Sequence, residues 1–134
     1  SLEMLGYFTD APNTQKYPSP LSAFYPTTGN FIAFVANYDN RALVKQSVRA
    51  FRAGAQFPSE GAALPNFIRD VGRSDHWGFW KEGYRALMVT DTANFRNPNY
   101  HGPNDTPDTL DYDSMARVVE GLRAVLINLA SPGN

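Results

Sequence analysis

The chain has 134 residues, 43% hydrophobic and 19% charged, the size and composition of one folded domain rather than a disordered segment. Its formal net charge is −1, with Lys and Arg scattered singly. No basic stripe exists to displace counterions from a phosphate backbone, and a nucleic-acid partner is not expected. The absence of cysteine removes disulfides and thiolate metal sites, and no apolar run approaches the ~20 residues that span a bilayer, so no membrane role is expected either.

The opening SLEMLGYF lacks the basic and apolar regions of a signal peptide. It reads as the end of a buried strand over residues 2–8, with the expectation that the chain starts inside a domain. Residues 9–30 are rich in Pro, Ser, Thr and Asn, with prolines at 12, 18, 20 and 26. They read as a long loop, of a length usually tied to a site. FIAFVA at 31–36 is a continuous apolar run, the pattern of a strand buried on both faces. Asp39 offers an N-cap, and residues 41–53 read as a helix closed by Gly54, with Val44, Val48 and Phe51 on one face.

Residues 56–70, broken by Pro58, Gly61 and Pro65, read as irregular. Ser74 is placed to cap a short helix over 75–82 that ends at Gly83. ALMVT at 86–90 is a second buried strand. A turn-rich loop, NPNYHGPNDTPDTLDY, follows at 97–112. The last helix carries Met115, Val119, Leu122, Leu126 and Leu129 at intervals of four and three, the stripe of a helix packed on a core. Asp111 or Asp113 would cap it, and Pro132-Gly133 lies beyond its end. Strands and helices in alternation imply an α/β layered fold, in which sites gather at loops leaving the carboxyl ends of strands. The loops after Met4, after Ala36 and after Thr90 qualify, and the last leads to His101.

Several residues there could carry chemistry. His101 has an imidazole suited to metal ligation or proton transfer, although an isolated loop histidine is more often a surface or hydrogen-bonding residue. Tyr100 beside it could donate to a developing oxyanion, or simply pack. The aspartates at 105, 108 and 111 are explained more cheaply by capping and Asx-turns than by a metal. Ser74, Asp75 and His76 are neighbours at a helix start, point in different directions, and cannot form a relay. Trp77, Phe79 and Trp80 could line an apolar pocket or pack under their helix. Glu3 ends an apolar strand, where a carboxylate is costly unless paired or metal-bound.

LEMLGY, GNFIAFVAN, FPSEG, SDHWGFWKEGYRALMVTDT and NYHGPNDTPDTLDYDSMARVVEGL, in that order, resemble the C-terminal half of the zinc aminopeptidases, a family that includes bacterial leucyl aminopeptidases, glutamate carboxypeptidase and the single-zinc glutaminyl cyclases. The resemblance covers nearly the whole chain. It implies a three-layer α/β/α, phosphorylase/hydrolase-like domain with a mixed sheet, of which residues 1–134 would be the C-terminal portion. It implies zinc as cofactor, two ions in the intact enzyme, with His101 and Glu3 as ligands. Tyr100 would be the oxyanion stabiliser, and Asp75, His76, Trp77 and Trp80 would flank the site or shape the substrate pocket.

The sequence departs from the family pattern in three ways. Neither His76 nor His101 is followed two residues on by Asp, so the family's His-x-Asp motif is absent, and no two glutamates are adjacent. Glu3 stands where the family usually has aspartate, one methylene and on the order of 1.5 Å longer. The expected function is part of a zinc-dependent exopeptidase acting on a peptide or aminoacyl substrate by metal-activated water, with this chain alone inactive. The alternatives are a non-catalytic binding module of the same fold and a glutaminyl cyclase-like acyltransferase. Self-association through an exposed sheet edge is also expected, and family habit points to secretion or the periplasm.

Overall fold

In the computed structural model, which describes residues 1–19 and 21–131, the apolar run after Phe31 becomes the central strand β2, Ile32–Asn37. Pro20 and the Pro132-Gly133 pair lie outside the described residues. On one side β2 pairs antiparallel with β4, Met88–Thr90, and on the other it pairs parallel with β3, Ser59–Leu64. The two-residue β1, Leu2–Glu3, adds parallel to β4, completing a mixed sheet of order β1-β4-β2-β3. The domain is α/β, as expected.

Three boundaries differ from the sequence reading. β1 stops at Glu3 instead of running to residue 8, because Met4 takes φ 54°, outside the strand region. β3 lies within the stretch read as irregular. Its SEGAAL sequence has no β-branched or aromatic residue, and parallel pairing along its whole length to β2 overrides that weak propensity. Gly61 has a packing reason to be there: a Cβ would sit 3.0 Å from Val44 Cγ1 and 3.1 Å from Val48 Cγ2 of the helix above. The short helix α2, His76–Lys81, has Asp75 at its N-cap position and no side-chain cap, so Ser74 does not serve as one.

Helix α1, Arg41–Gly54, links β2 to β3 as the crossover that parallel strands require. Asn37, not Asp39, organises its start: the Asn37 side chain accepts from the Asn40 backbone N–H through a 3-10 turn at Tyr38–Asn40. Leu43, Val44, Val48 and Phe51 face inward, and Phe51 meets Phe34 edge-on at 5.4 Å between ring centres. Arg52 fixes the start of β3 by donating to Ser59 Oγ at 3.0 Å and to the Ser59 carbonyl.

Helix α3, Tyr112–Ala130, is capped by Asp111, whose carboxylate accepts from the Ser114 N–H at 2.9 Å and the Ser114 hydroxyl at 2.6 Å. Its buried stripe is only partly the expected one: Met115 and Leu122 are half-buried, and Leu122 packs on the core. Ser114, Val118, Gly121 and Val125 face the core, while Val119 and Leu126 are 57% and 68% exposed and Leu129 is exposed as well. The reason is the close approach of α1. A Cβ on Gly121 would lie 2.3 Å from the Phe51 ring, so a small residue marks the contact, while Val119, Leu126 and Leu129 turn outward.

Register fixes what each sheet face presents. Val89, Phe34 and Gly61 align across β4, β2 and β3 on the face covered by α1. Glu3, Thr90, Ala33 and Glu60 form a row across all four strands on the opposite face. That second face is covered by irregular segments, including the loop over residues 9–30 and a 3-10 turn at Arg69–Gly72. No helix among the described residues is long and apolar enough to cross a membrane.

Candidate functional site

The strands deliver their ends unevenly. β1 and β4 run in parallel, so Glu3 and Thr90 finish at the same edge of the sheet. β2 is antiparallel to β4, which sends the loop after Asn37 to the opposite edge. Only two of the three expected loops therefore meet.

A cleft of about 130 Å³ opens over the Glu3–Glu60 row, with Glu3, Thr90, Glu60 and Tyr100 in its wall. The volume is below the ~300–1,000 Å³ of a ligand-sized site and suits one side chain or a short segment. Its wall is mostly apolar, with Leu21, Tyr25, Phe31, Ile68 and Phe95 contributing. The long loop contributes Tyr17, Pro18, Leu21 and Tyr25 to this wall and is pinned by Thr9 N–H to Gly29 O and Lys16 N–H to Phe95 O, at 2.9 and 2.8 Å.

Glu3 and Tyr100 thus face one cavity. His101 is exposed and does not itself line it, but its ring stacks on Tyr100 at 4.0 Å, and its backbone takes φ 57°. The aspartates of this loop act on backbone and caps. Asp105 accepts from the His101 N–H at 3.3 Å and from Asn97 Nδ2 at 3.1 Å, and Asp111 caps α3. None of them is placed as the imidazole's partner.

The SDHW segment lies elsewhere. His76 is fully buried, with Nε2 donating to Val71 O at 2.7 Å and Nδ1 accepting from Ser1 Oγ at 3.2 Å. Burial pushes its pKa below the usual histidine value. Trp80 stacks edge-on against it at 4.6 Å and donates to Ala86 O. Asp75 is exposed and lines a shallow groove with Ser74 and Trp77. Trp77 and Trp80 line a further groove with Asn37 and Asp39, at the carboxyl end of β2. That groove adjoins the Glu3 cleft at Val71, but neither tryptophan is in the wall of the cavity that Tyr100 faces.

A polar knot behind the cleft went unread in the sequence. Asp91, directly after β4 and fully buried, accepts from the backbone N–H groups of Gly6 (3.1 Å), Tyr7 (2.8 Å) and Ala93 (3.0 Å). Burial raises its pKa, while these donors and nearby Arg96 pull it down. Arg96 is buried too: Nε donates to Gln15 Oε1 at 2.8 Å, and the guanidinium lies 4.6 Å over the Phe31 ring. Burial lowers its pKa to about 10. Asp91 thereby ties the exits of β1 and β4 together, where Met4, Thr92 and Ala93 all hold positive φ. Such strain collects at sites whose surroundings over-determine the backbone. A carboxylate immediately after an apolar strand, as at Glu3, was the available signal.

The donor set can be compared with a zinc ion's needs. A catalytic zinc takes three protein ligands and an open position. Glu3 and His101 are the two expected ligands, but His101 does not line the cavity that Glu3 faces, and no cluster of three His, Asp or Glu side chains able to hold a metal occurs among the described residues. The residues present do not fit a zinc by themselves.

Comparison with known proteins agrees with the architecture. The chain is 40% identical over 129 residues to the protein YfbL of Escherichia coli (strain K12), described as uncharacterized, covering 96% of this chain and 40% of that protein. Its fold matches the LapA aminopeptidase of Legionella pneumophila with a TM-score of 0.67 at 21% identity, over 97% of this chain and 30% of that one. The chain therefore spans well under half the length of either. A profile of peptidase family M28 matches residues 24–126, and on that match the chain belongs to peptidase family M28.

Proposed function

We propose that residues 1–134 form the C-terminal portion of an aminopeptidase-type hydrolase domain, acting on a peptide or aminoacyl substrate bound in the Glu3–Tyr100 cleft. Family membership supports the peptidase reading, and the shares of 40% and 30% covered in the two relatives support a larger working unit. The observation that carries the proposal is that Glu3 and Tyr100 face one apolar cavity at the carboxyl ends of β1 and β4. There the Tyr100 hydroxyl serves as a donor to the oxyanion of an attacked carbonyl, in a site whose apolar wall excludes water and strengthens that bond. His101, stacked on the Tyr100 ring, holds its orientation. Zinc dependence is the family's habit. With no three-ligand cluster among the described residues, the remaining ligands and the general base would come from outside this chain.

The test is an aminoacyl p-nitroanilide assay on a polypeptide of the relatives' length that carries these residues. The expected result is chelator-sensitive turnover that Tyr100→Phe lowers by roughly 10²–10³-fold in kcat. Turnover indifferent to both chelator and Tyr100→Phe would refute the proposal. The 134-residue chain alone, with zinc added, is expected to be inactive, and turnover by it that His101→Ala abolished would contradict this. A second reading, a non-catalytic binding module, is favoured by the lack of a three-ligand cluster among the described residues and by glutamate at position 3. It predicts substrate binding without turnover in the longer polypeptide.

A further inference from the structure

We propose that Glu60 makes the cleft selective for a positively charged side chain, so that the residue it accepts is lysine or arginine. The inference rests on the cleft being the aminoacyl site proposed above. Glu60 lies on β3 at the far end of the row that begins with Glu3, and it lines the cavity. Its carboxylate forms no hydrogen bond and no ion pair among the described residues. Of the other charged groups of the wall, Arg73 pairs with Asp70 at 2.9 Å, and Glu3, likewise without an ion pair among the described residues, lies at the opposite end of the row.

The two tyrosines beside Glu60 do not serve it. Tyr17 donates its hydroxyl to Pro26 O at 2.5 Å, and Tyr25 donates to Gly61 O at 3.3 Å. Burial raises both phenol pKa values, and the Glu60 charge adds to the rise. Glu60 is half-buried in this mostly apolar wall without a counter-charge, and a ligand cation would supply one.

The dimensions suit a long cationic side chain. Three strand spacings of ~4.8 Å put the two ends of the row roughly 14 Å apart. A lysine side chain, roughly 6 Å from Cα to Nζ, spans more than one of these spacings. A substrate whose Cα sits over the middle of the row can therefore bring its side-chain ammonium to the Glu60 carboxylate for a charge-assisted hydrogen bond of ~2.8 Å. Leu21, Ala62 and Ile68 offer the apolar wall that an aliphatic stem packs against while its charged head continues onward. Tyr17 and Tyr25, whose rings stack at 5.8 Å, line the same cavity.

The test compares lysinamide with norleucinamide, which keeps the α-ammonium and the stem but lacks the side-chain charge. Calorimetric titration of each amide into the protein and into Glu60→Gln reads the ratio of the two affinities. The expected ratio is about tenfold or more in favour of lysinamide, collapsing to near one in the variant. Equal affinities in the unmodified protein, a preference that survives in Glu60→Gln, or no binding of either amide would each overturn the inference. Because the readout is binding, failure of the hydrolase reading would show separately, as absent turnover of p-nitroanilides with the lysinamide preference intact.

Discussion

Replacing Asp91 with alanine removes the acceptor that holds the exits of β1 and β4 together. The Gly6 and Ala93 N–H groups are buried where they meet this carboxylate, and Tyr7 contributes a third, partly buried donor. A buried donor left without a partner costs ~1–3 kcal/mol, so the two buried groups alone give ~2–6 kcal/mol. Against a domain stability of ~5–15 kcal/mol this is a large fraction. With a urea m-value of ~1–3 kcal/mol/M, the unfolding midpoint should fall by roughly 1–3 M with m unchanged. Asp91→Asn keeps the volume and one acceptor oxygen and should lose less. A midpoint shift below about 0.3 M in Asp91→Ala would show that the knot is not what holds the strand exits, and the account of the strained backbone at Met4, Thr92 and Ala93 would fall with it.

Gly121→Ala drives a methyl into the Phe51 ring and should cost ~1–3 kcal/mol in the same unfolding assay; a neutral effect would contradict the close α1–α3 contact. His76 has a folded pKa below its ordinary 6.5. The unfolded chain therefore binds the extra proton first, and this part of the stability is complete above pH 6.5 and lost as pH falls toward the depressed folded value. His76→Phe should flatten the stability profile over that window, and an unchanged slope would refute the assignment. Val119, Leu126 and Ile127 leave apolar surface outside α3, and β1 and β3 are sheet edges. Self-association at micromolar concentration, reduced by Leu126→Glu, is expected in sedimentation velocity, and a clean monomer would count against it.

The sequence carried the architecture where periodicity and capping agreed. β2, α1, α2 and α3 fall within a residue or two of their expected bounds because apolar runs and Gly83 or Asp111 mark them. β3 escaped because SEGAAL gains its strand from pairing and from the narrow space under Val44 and Val48, neither of which is local. The α3 stripe misled at Val119, Leu126 and Leu129 for a related reason: apolar size predicts the core only when the partner helix leaves room for it. In the proposed site, Glu3 and Tyr100 were readable as a carboxylate at a strand end and a phenol beside a histidine, and they line one cavity. Trp77 and Trp80 were not placeable, since the direction of β2 relative to β4 decides which edge their groove occupies. Glu60 and Asp91 needed the cross-strand register and the tertiary knot to be seen at all.

The measurement that bears most directly on the account is a chemical-shift map of the protein titrated with lysinamide and, separately, with leucinamide. The account predicts that the largest backbone shifts fall on Glu3, Glu60, Thr90 and Tyr100, which share one cavity across the sheet. Shifts confined to Trp77, Trp80 and the Asn37 edge would place the aminoacyl site in the adjoining groove and contradict it.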